Sequence, residues 1–554
     1  MKHHLKWIAA VLALSLSLTA CGGASSSSAP SSEAQASASA QKQAVVQFGP
    51  DPDSLDPALN STVDGAEMLL HSFEALTRVD QEGRIVPGQA ESWEVSEDGM
   101  TWTFHLRQGL KWSDGSDLTA ADYVYSWQRM ADPNTAAPYA ATVLEAVKNF
   151  EPISYGEMDP AELGVSAPDA NTFVVELEYP CSYFDKVVSV IASAPVCQTV
   201  VEEAGEAWAL DPSTYVSNGA FTMTEWVPGS HITYAKNPHY WDADSVKLDG
   251  LKFLLTADEN AAYASYETGE ADLVISVPTE EIPSLRENAD FHMEPNTGLY
   301  YLVFQTQKAP FDNADVRRAL SLAVDRSYVA ENLMQNTYSA AGSLVGPGIP
   351  DADGVTPFQD NANGGEEYIS TDPADAQANL EEARQLLADA GYPNGEGFPV
   401  VEYLIVDSGY NKVLAEYLQS AWGELGITVE VREAEWQSLV DSYFSGDFDV
   451  TFAGWSCDYA DPSCLLNLFC TENGNNIGLY SNPEYDACME TARTTTDVEE
   501  RFAAMHAAED ILMEDMPFVP VAFYNDYWMQ SPDLTGVWHS ASGYWFFHTA
   551  DLAA

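Results

Sequence analysis

VEYLIVDSGYNKVLAEYLQSAWGELGITVEVREAEWQSLVDSYFSGDFDVTFAGWSCDYADPS, residues 401–463, is the stretch from which the architecture can be read. VEYLIVD (401–407) predicts a strand and NKVLAEYLQSAWGELG (411–426) an amphipathic helix. ITVEVRE (427–433) is again a strand, EWQSLVDSYFSG (435–446) a helix, and FDVTFAGW (448–455) a strand. A β-α-β-α-β succession implies a parallel sheet with helical crossovers. In open sheets of this kind ligands bind in the crevice beyond the carboxyl ends of the strands. Trp455 and Asp458 lie just past such an end. A buried strand needs neither a tryptophan nor two aspartates for packing, so the segment reads as a surface built to hold something.

Upstream, AVVQFG opens the folded part as a strand, followed by the exposed turn PDPDSLDPA. TWTFHLR (101–107) alternates, with Trp102, Phe104 and Leu106 on one face, as in a half-buried strand. Thr119 and Asp122 have capping-box spacing at the start of a helix. AFTMTEWVPGSHITYAK predicts a hairpin bent at Pro228-Gly229, and ENAAYASYETGEADLVI a helix closed by Gly269 that leads into a strand. With 554 residues the chain exceeds one ordinary core, so several domains are expected.

Eighty-five acidic against 23 basic residues leave a net charge of −62. Such a surface repels phosphate backbones and argues against a nucleic-acid partner. It keeps an exported protein soluble, and at low salt it attracts cationic ligands. The N-terminus, MKHHLK followed by WIAAVLALSLSL, has the basic and short apolar regions of a secretion signal and is too short for an ordinary membrane span. It ends in LTAC, which resembles the bacterial lipobox and makes Cys21 the expected lipid anchor. Residues 22–42 are Ser/Ala-rich and cannot bury enough surface to fold, so they are expected to act as a tether. The folded body is therefore expected outside the cell, held to the outer face of the membrane.

Six cysteines remain: Cys181, Cys197, Cys457, Cys464, Cys470 and Cys488. An even number in an exported chain suggests disulfides, with 15 pairings open. Their spacing does not match a zinc site, the ten histidines show no paired ligand spacing, and no metal or other cofactor is expected. DPDSLD (51–56) and DADG (351–354) lack a full calcium-loop ligand set and read as turns. No GxSxG, HExxH, GxGxxG or P-loop pattern is present, so the chain is not expected to be an enzyme.

SLDPA (54–58), VPGQAESWE (86–94), TWTFHLRQGLKWSDG (101–115), DYVYSWQRMADPNTAAPYA (122–140), NGAF (218–221), NPHYWD (237–242), QKAPFDNADVRRALSLAVDR (307–326) and GWSCDYADPS (454–463) occur in one order. In that order they resemble the oligopeptide-binding lipoproteins of bacterial ABC importers, the Opp/Dpp group of extracellular solute-binding proteins. The resemblance implies an α/β, two-lobed periplasmic-binding-protein-like fold with a hinge and an additional third domain. By analogy the first lobe comprises 43–73, 213–297 and 526–554, the additional domain 74–212, and the second lobe 298–525. It further implies a monomeric receptor that holds a peptide between its lobes and hands it to the transmembrane subunits of an ABC permease. Backbone pairing would give affinity regardless of peptide sequence.

Residue by residue, Asp458 matches the acid that takes the peptide's α-ammonium. Gly454 would offer its backbone, Trp455 a flat apolar wall and Val63 the facing strand, with Tyr139 and Tyr301 in side-chain pockets. Tyr410, Tyr443 and Phe452 stand where studied relatives carry basic groups for the peptide carboxylate, so carboxylate recognition departs from the family pattern. Gly298 and Ser456 match a disulfide of some members and leave it absent, which frees Cys457 to pair elsewhere, Cys470 being one candidate. A dipeptide, nickel complex, haem or oligosaccharide is the alternative ligand within the same superfamily, and a secreted lipoprotein hydrolase is the alternative from another class.

Overall fold

The computed structural model describes residues 42–553; Cys21 and the expected signal and tether lie outside them. Eleven strands among the described residues form one large sheet. They are β1 (Gln43–Gly49), β2 (Phe221–Val227), β3 (His231–Lys236), β4 (Gly250–Leu255), β5 (Leu273–Val274) and β6 (Phe291–Phe304). The set is completed by β7 (Tyr338–Ala340), β8 (Val401–Val406), β9 (Val429–Ala434), β10 (Val450–Trp455) and β11 (Phe518–Gln530). The order across the sheet is β9-β8-β10-β6-β11-β5-β1-β4-β3-β2, with β7 beside β11.

At one end β8 pairs in parallel with both β9 and β10, as the β-α-β-α-β reading requires. The two crossover helices span Gly409–Gly423 and Trp436–Ser445. At the other end the hairpin of β2 and β3 turns through Gly229, whose φ of +69° suits a glycine. A separate four-stranded antiparallel sheet takes in Thr101–Leu106, in which Trp102, Phe104 and Leu106 are buried. Thr119 and Asp122 form the expected capping box, the Thr119 N–H donating to the Asp122 carboxylate at 2.8 Å.

Two large apolar cores lie on either side of the middle of the big sheet. One draws on residues from Ala44 to Leu273 and from Trp528 to Ala550, the other on residues from Leu299 to Phe523. The long strands β6 and β11 run between them. Their register holds from Phe291↔Met529 to Pro295↔Asn525, breaks, and resumes at Leu299↔Phe523. Asn296, Thr297 and Gly298 fill the break; the Asn296 side chain donates to Asp526 at 2.7 Å and accepts from the Gly298 N–H at 2.8 Å. An irregularity in the two strands that cross between cores is where a bend is cheapest.

Val63 corrects an expectation. It does not lie on a strand but is the first residue of helix α1 (Val63–Ser72), with the Thr62 hydroxyl accepting from the Gly65 N–H at 3.1 Å as N-cap. Its side chain is exposed. The acids of DPDSLD hold turns: Asp51 accepts from the Gly229 N–H and the Trp226 indole, while Asp56 receives Arg129 and Trp208.

Candidate functional site

Strand β10 runs from the second core toward the first. On one side it pairs along its whole length with β6, from Leu299↔Trp455 to Phe304↔Val450. On the other side it meets β8 only through Tyr403↔Val450 and Leu404↔Thr451. From Phe452 to Trp455 that edge has no strand partner among the described residues, although the Tyr443 hydroxyl donates to the Phe452 carbonyl. The remaining length, Ala453 to Trp455, is a short open edge with amide and carbonyl groups to offer. Gly454 is exposed on it, and its lack of a side chain has a local cause. A Cβ there would fall 2.1 Å from the Tyr524 hydroxyl. The Trp455 indole N–H is buried without a hydrogen-bond partner.

Beyond the strand the two aspartates divide the work. Asp461 is fully buried and receives Arg501 in a two-pronged contact at 2.9 and 2.7 Å, Lys186 at 2.9 Å and the Ser463 hydroxyl at 2.7 Å. These cations hold its carboxyl far below the usual range despite burial. Arg501 lies over the Tyr183 ring at 4.3 Å, and Tyr183 stacks on Tyr459 at 6.0 Å. The turn is thus anchored at its second acid.

Asp458 has no such partner. It is half-buried and lines a cavity with Leu70, Lys186, Ile191, Tyr544 and Phe546, residues from three other stretches of chain. Burial pushes its carboxyl up to about 6, opposed only by a hydrogen bond from the Tyr139 hydroxyl. Tyr544 is pushed up by burial and by the nearby Asp458 and Tyr139. Lys186, though on the cavity wall, is committed to Asp461 and the Ala460 carbonyl. A desolvated carboxylate with no cation beside it is an unmet demand for positive charge.

The aromatic residues fall into two groups. Tyr139 sits against Asp458 as a wall of this site. Tyr301 does not form such a wall: it is 5% exposed, with its ring against Phe469 and Phe518, so it belongs to the second core. Its neighbour Tyr300 instead stacks on Phe452 at 5.8 Å and donates to Asn411 at 2.6 Å. Tyr410 meets Tyr338 edge-on at 5.8 Å, and Tyr338 meets Tyr524 at 5.3 Å. Tyr410, Tyr443 and Phe452 therefore belong to one phenol-rich surface around the open edge. Tyr300 was passed over in favour of its neighbour Tyr301, and Tyr524, Tyr544 and Lys186 were not singled out from sequence, because each reaches the site from a distant segment with no local motif.

The expected disulfides are not formed: all six cysteines among the described residues are free thiols. Gly298 and Ser456 are adjacent, a Cβ on Gly298 falling 2.6 Å from the Ser456 hydroxyl. The thiol beside Cys457 is that of Cys464, not Cys470.

Close by, His539 joins the two crossing strands. Its ring contacts Glu294 of β6 at 3.2 Å and Asp526 of β11 at 2.8 Å, and these two acids face each other in register. Burial works against its protonated form, but the two acids outweigh burial and raise its pKa above the ordinary value.

The profile of bacterial extracellular solute-binding proteins, family 5 Middle, matches residues 84–476. The oligopeptide-binding protein OppA of Bacillus subtilis (strain 168) is 32% identical over 508 residues, which cover 90% of this chain and 91% of that protein. The unliganded open form of MppA, a periplasmic murein tripeptide binding protein, aligns with a TM-score of 0.80 at 31% identity, covering 93% of this chain and 98% of the other. OppA of Haemophilus influenzae in complex with RPPGFSPFR aligns at 0.72 and 30% identity, covering 93% and 100%. The architecture is accordingly the two-lobed α/β fold of these binding proteins. Profile, sequence and structure agree over most of the length, and the chain belongs to family 5 of the bacterial extracellular solute-binding proteins.

Proposed function

We propose that this protein is an extracytoplasmic receptor that captures oligopeptides between its lobes and delivers them to an ABC importer. The observation that carries the reading is Asp458, a half-buried carboxylate without a cation, set one turn beyond an unpaired strand edge. An extended peptide laid on Ala453–Trp455 would satisfy that edge through its main chain, and its α-ammonium would meet Asp458. Backbone pairing is indifferent to side chains, so varied sequences fit. With aromatic residues at Tyr410, Tyr443 and Phe452, the far end of the peptide would meet phenols and rings rather than cations.

The lobes are assigned as 43–73, 213–297 and 526–554 for the first and 298–525 for the second, with 74–212 as the additional domain. Two separate cores and the register break at Asn296–Gly298 support the division between first and second lobe. The higher TM-score with an unliganded open form than with a peptide complex supports an open arrangement here. Binding would then proceed by closure about β6 and β11. Anchoring through a lipidated Cys21 and a monomeric state complete the proposal. No helix among the described residues is long and apolar enough to cross a membrane.

Mass spectrometry of whatever is released when the purified protein is denatured tests the function. Recovery of intact peptides supports it; a non-peptide ligand contradicts it, and peptide fragments that accumulate on incubation would point to a hydrolase.

A further inference from the structure

We propose that the cavity beside Asp458 selects the first side chain of the ligand and takes an aliphatic one, so that this protein prefers peptides beginning with leucine, isoleucine or valine. This selectivity rests on the peptide reading and narrows it: backbone pairing admits varied sequences at the other positions, and the first is the exception. An ammonium held by Asp458 is one bond, about 1.5 Å, from the first Cα of the peptide. The main chain then leaves along Ala453–Trp455, and each later residue lies about 3.3 Å farther on. The first side chain is therefore the one that starts beside the Asp458 cavity.

Three parts of the chain close around that point. Leu70 of α1 and Phe546 come from one side, Val79, Ile85 and Ile191 from another, and the turn Asp458–Ala460 from the third. Leu70, Val79, Ile85 and Phe546 are only half-buried, so they keep apolar surface for a ligand to cover. The polar groups among them are engaged elsewhere. The Lys186 ammonium donates to Asp461 at 2.9 Å and to the Ala460 carbonyl at 3.1 Å. The Ser189 hydroxyl donates to the Lys186 carbonyl at 2.7 Å, and the Ser540 hydroxyl accepts from the Tyr544 N–H at 3.3 Å. With Asp458 given to the ammonium, a polar first side chain gives up water for an apolar wall, which is unfavourable. An aliphatic one gains by the same burial. The cavity volume is about 60 Å³. At about 10–15 Å³ for each water-sized group it holds about four to six of them, enough for the four carbons of a leucine side chain.

The test is isothermal titration calorimetry with two pairs of tetrapeptides. Leu-Ala-Ala-Ala against Asn-Ala-Ala-Ala changes polarity at nearly constant shape in the first position, and Ala-Leu-Ala-Ala against Ala-Asn-Ala-Ala makes the same change in the second. The leucine-first peptide is expected to bind at least about tenfold tighter than the asparagine-first one, the scale of burying one aliphatic side chain. The second pair is expected to differ much less. Leu70→Ala, which removes part of the wall, should shrink the first-position ratio while the loss of affinity between pH 7 and pH 5 stays as in the wild type. Equal affinities in the first pair, an equal leucine preference in both pairs, or a first-position ratio unchanged in Leu70→Ala overturns the proposal and leaves the peptide reading standing. If none of the four peptides binds, the peptide reading itself falls and this selectivity with it.

Discussion

Replacing Asp458 with asparagine keeps the shape of the side chain and removes its charge, and the structure sets the size of the effect. Burial moves this carboxyl from 3.8 to about 6, a difference of about 2.2 units. At 1.36 kcal/mol per unit, that is about 3 kcal/mol held against ionisation. A peptide ammonium seated beside it would offset that penalty, so D458N should weaken peptides with a free N-terminus by up to about 150-fold. The same numbers give a pH dependence. Unliganded Asp458 is roughly nine-tenths ionised at pH 7 and one-tenth at pH 5, while the bound form, next to an ammonium, stays ionised. Protons therefore compete with ligand, and affinity should fall about tenfold from pH 7 to pH 5. Isothermal titration calorimetry with one peptide and its N-acetyl derivative, on wild type and D458N at both pH values, measures all of this. The wild-type protein should show the tenfold loss for the free peptide alone, and D458N should show none. Equal pH dependence for the acetylated peptide, or an unchanged affinity in D458N, would refute the reasoning.

Other expectations follow from single contacts. Gly454→Ala puts a methyl 2.1 Å from the Tyr524 hydroxyl and should cost about 1–3 kcal/mol of stability together with peptide affinity. Adding Tyr524→Phe, which removes the clashing oxygen, should restore both by thermal melting and titration; no recovery would mean the strand edge itself had moved. Asp461→Asn leaves the Arg501 and Lys186 charges uncompensated and should cost about 3–5 kcal/mol in urea denaturation. Because its pKa is depressed in the fold, the wild-type contribution is present above the ordinary Asp value and lost as pH falls below it. His539 has the opposite sign: its folded pKa is raised, so its stabilisation is present below about 6.5 and fades as pH rises through the folded value. Urea midpoints at pH 5.5 and 8.5 should therefore differ less in His539→Gln than in the wild type, and an identical difference would exclude the Glu294–His539–Asp526 link as its source.

What could be read in advance depended on how local the cause is. The strands and helices of 401–463 announce themselves by apolar periodicity, and their parallel pairing follows from the crossovers. The position of Asp458 just past the end of β10 was legible because the succession of elements places a strand end at Trp455. Val63 was not, because a role borrowed from relatives concealed a local signal: Thr62 and the apolar spacing of VDGAEMLL start a helix. Tyr301 was given a pocket role by the resemblance alone, whereas its ring packs against Phe469 and Phe518 in the second core. Tyr544 and Lys186 come to Asp458 from positions far away in sequence, where only tertiary packing brings them. The buried role of Asp461 depends on Arg501, forty residues later.

The most direct measurement is a crystal structure of the protein with a bound peptide. It should place the α-ammonium within hydrogen-bonding distance of the Asp458 carboxylate, with the peptide main chain paired to Ala453–Trp455. A peptide seated elsewhere, or one whose ammonium faces solvent while Asp458 stays unpaired, would contradict the account.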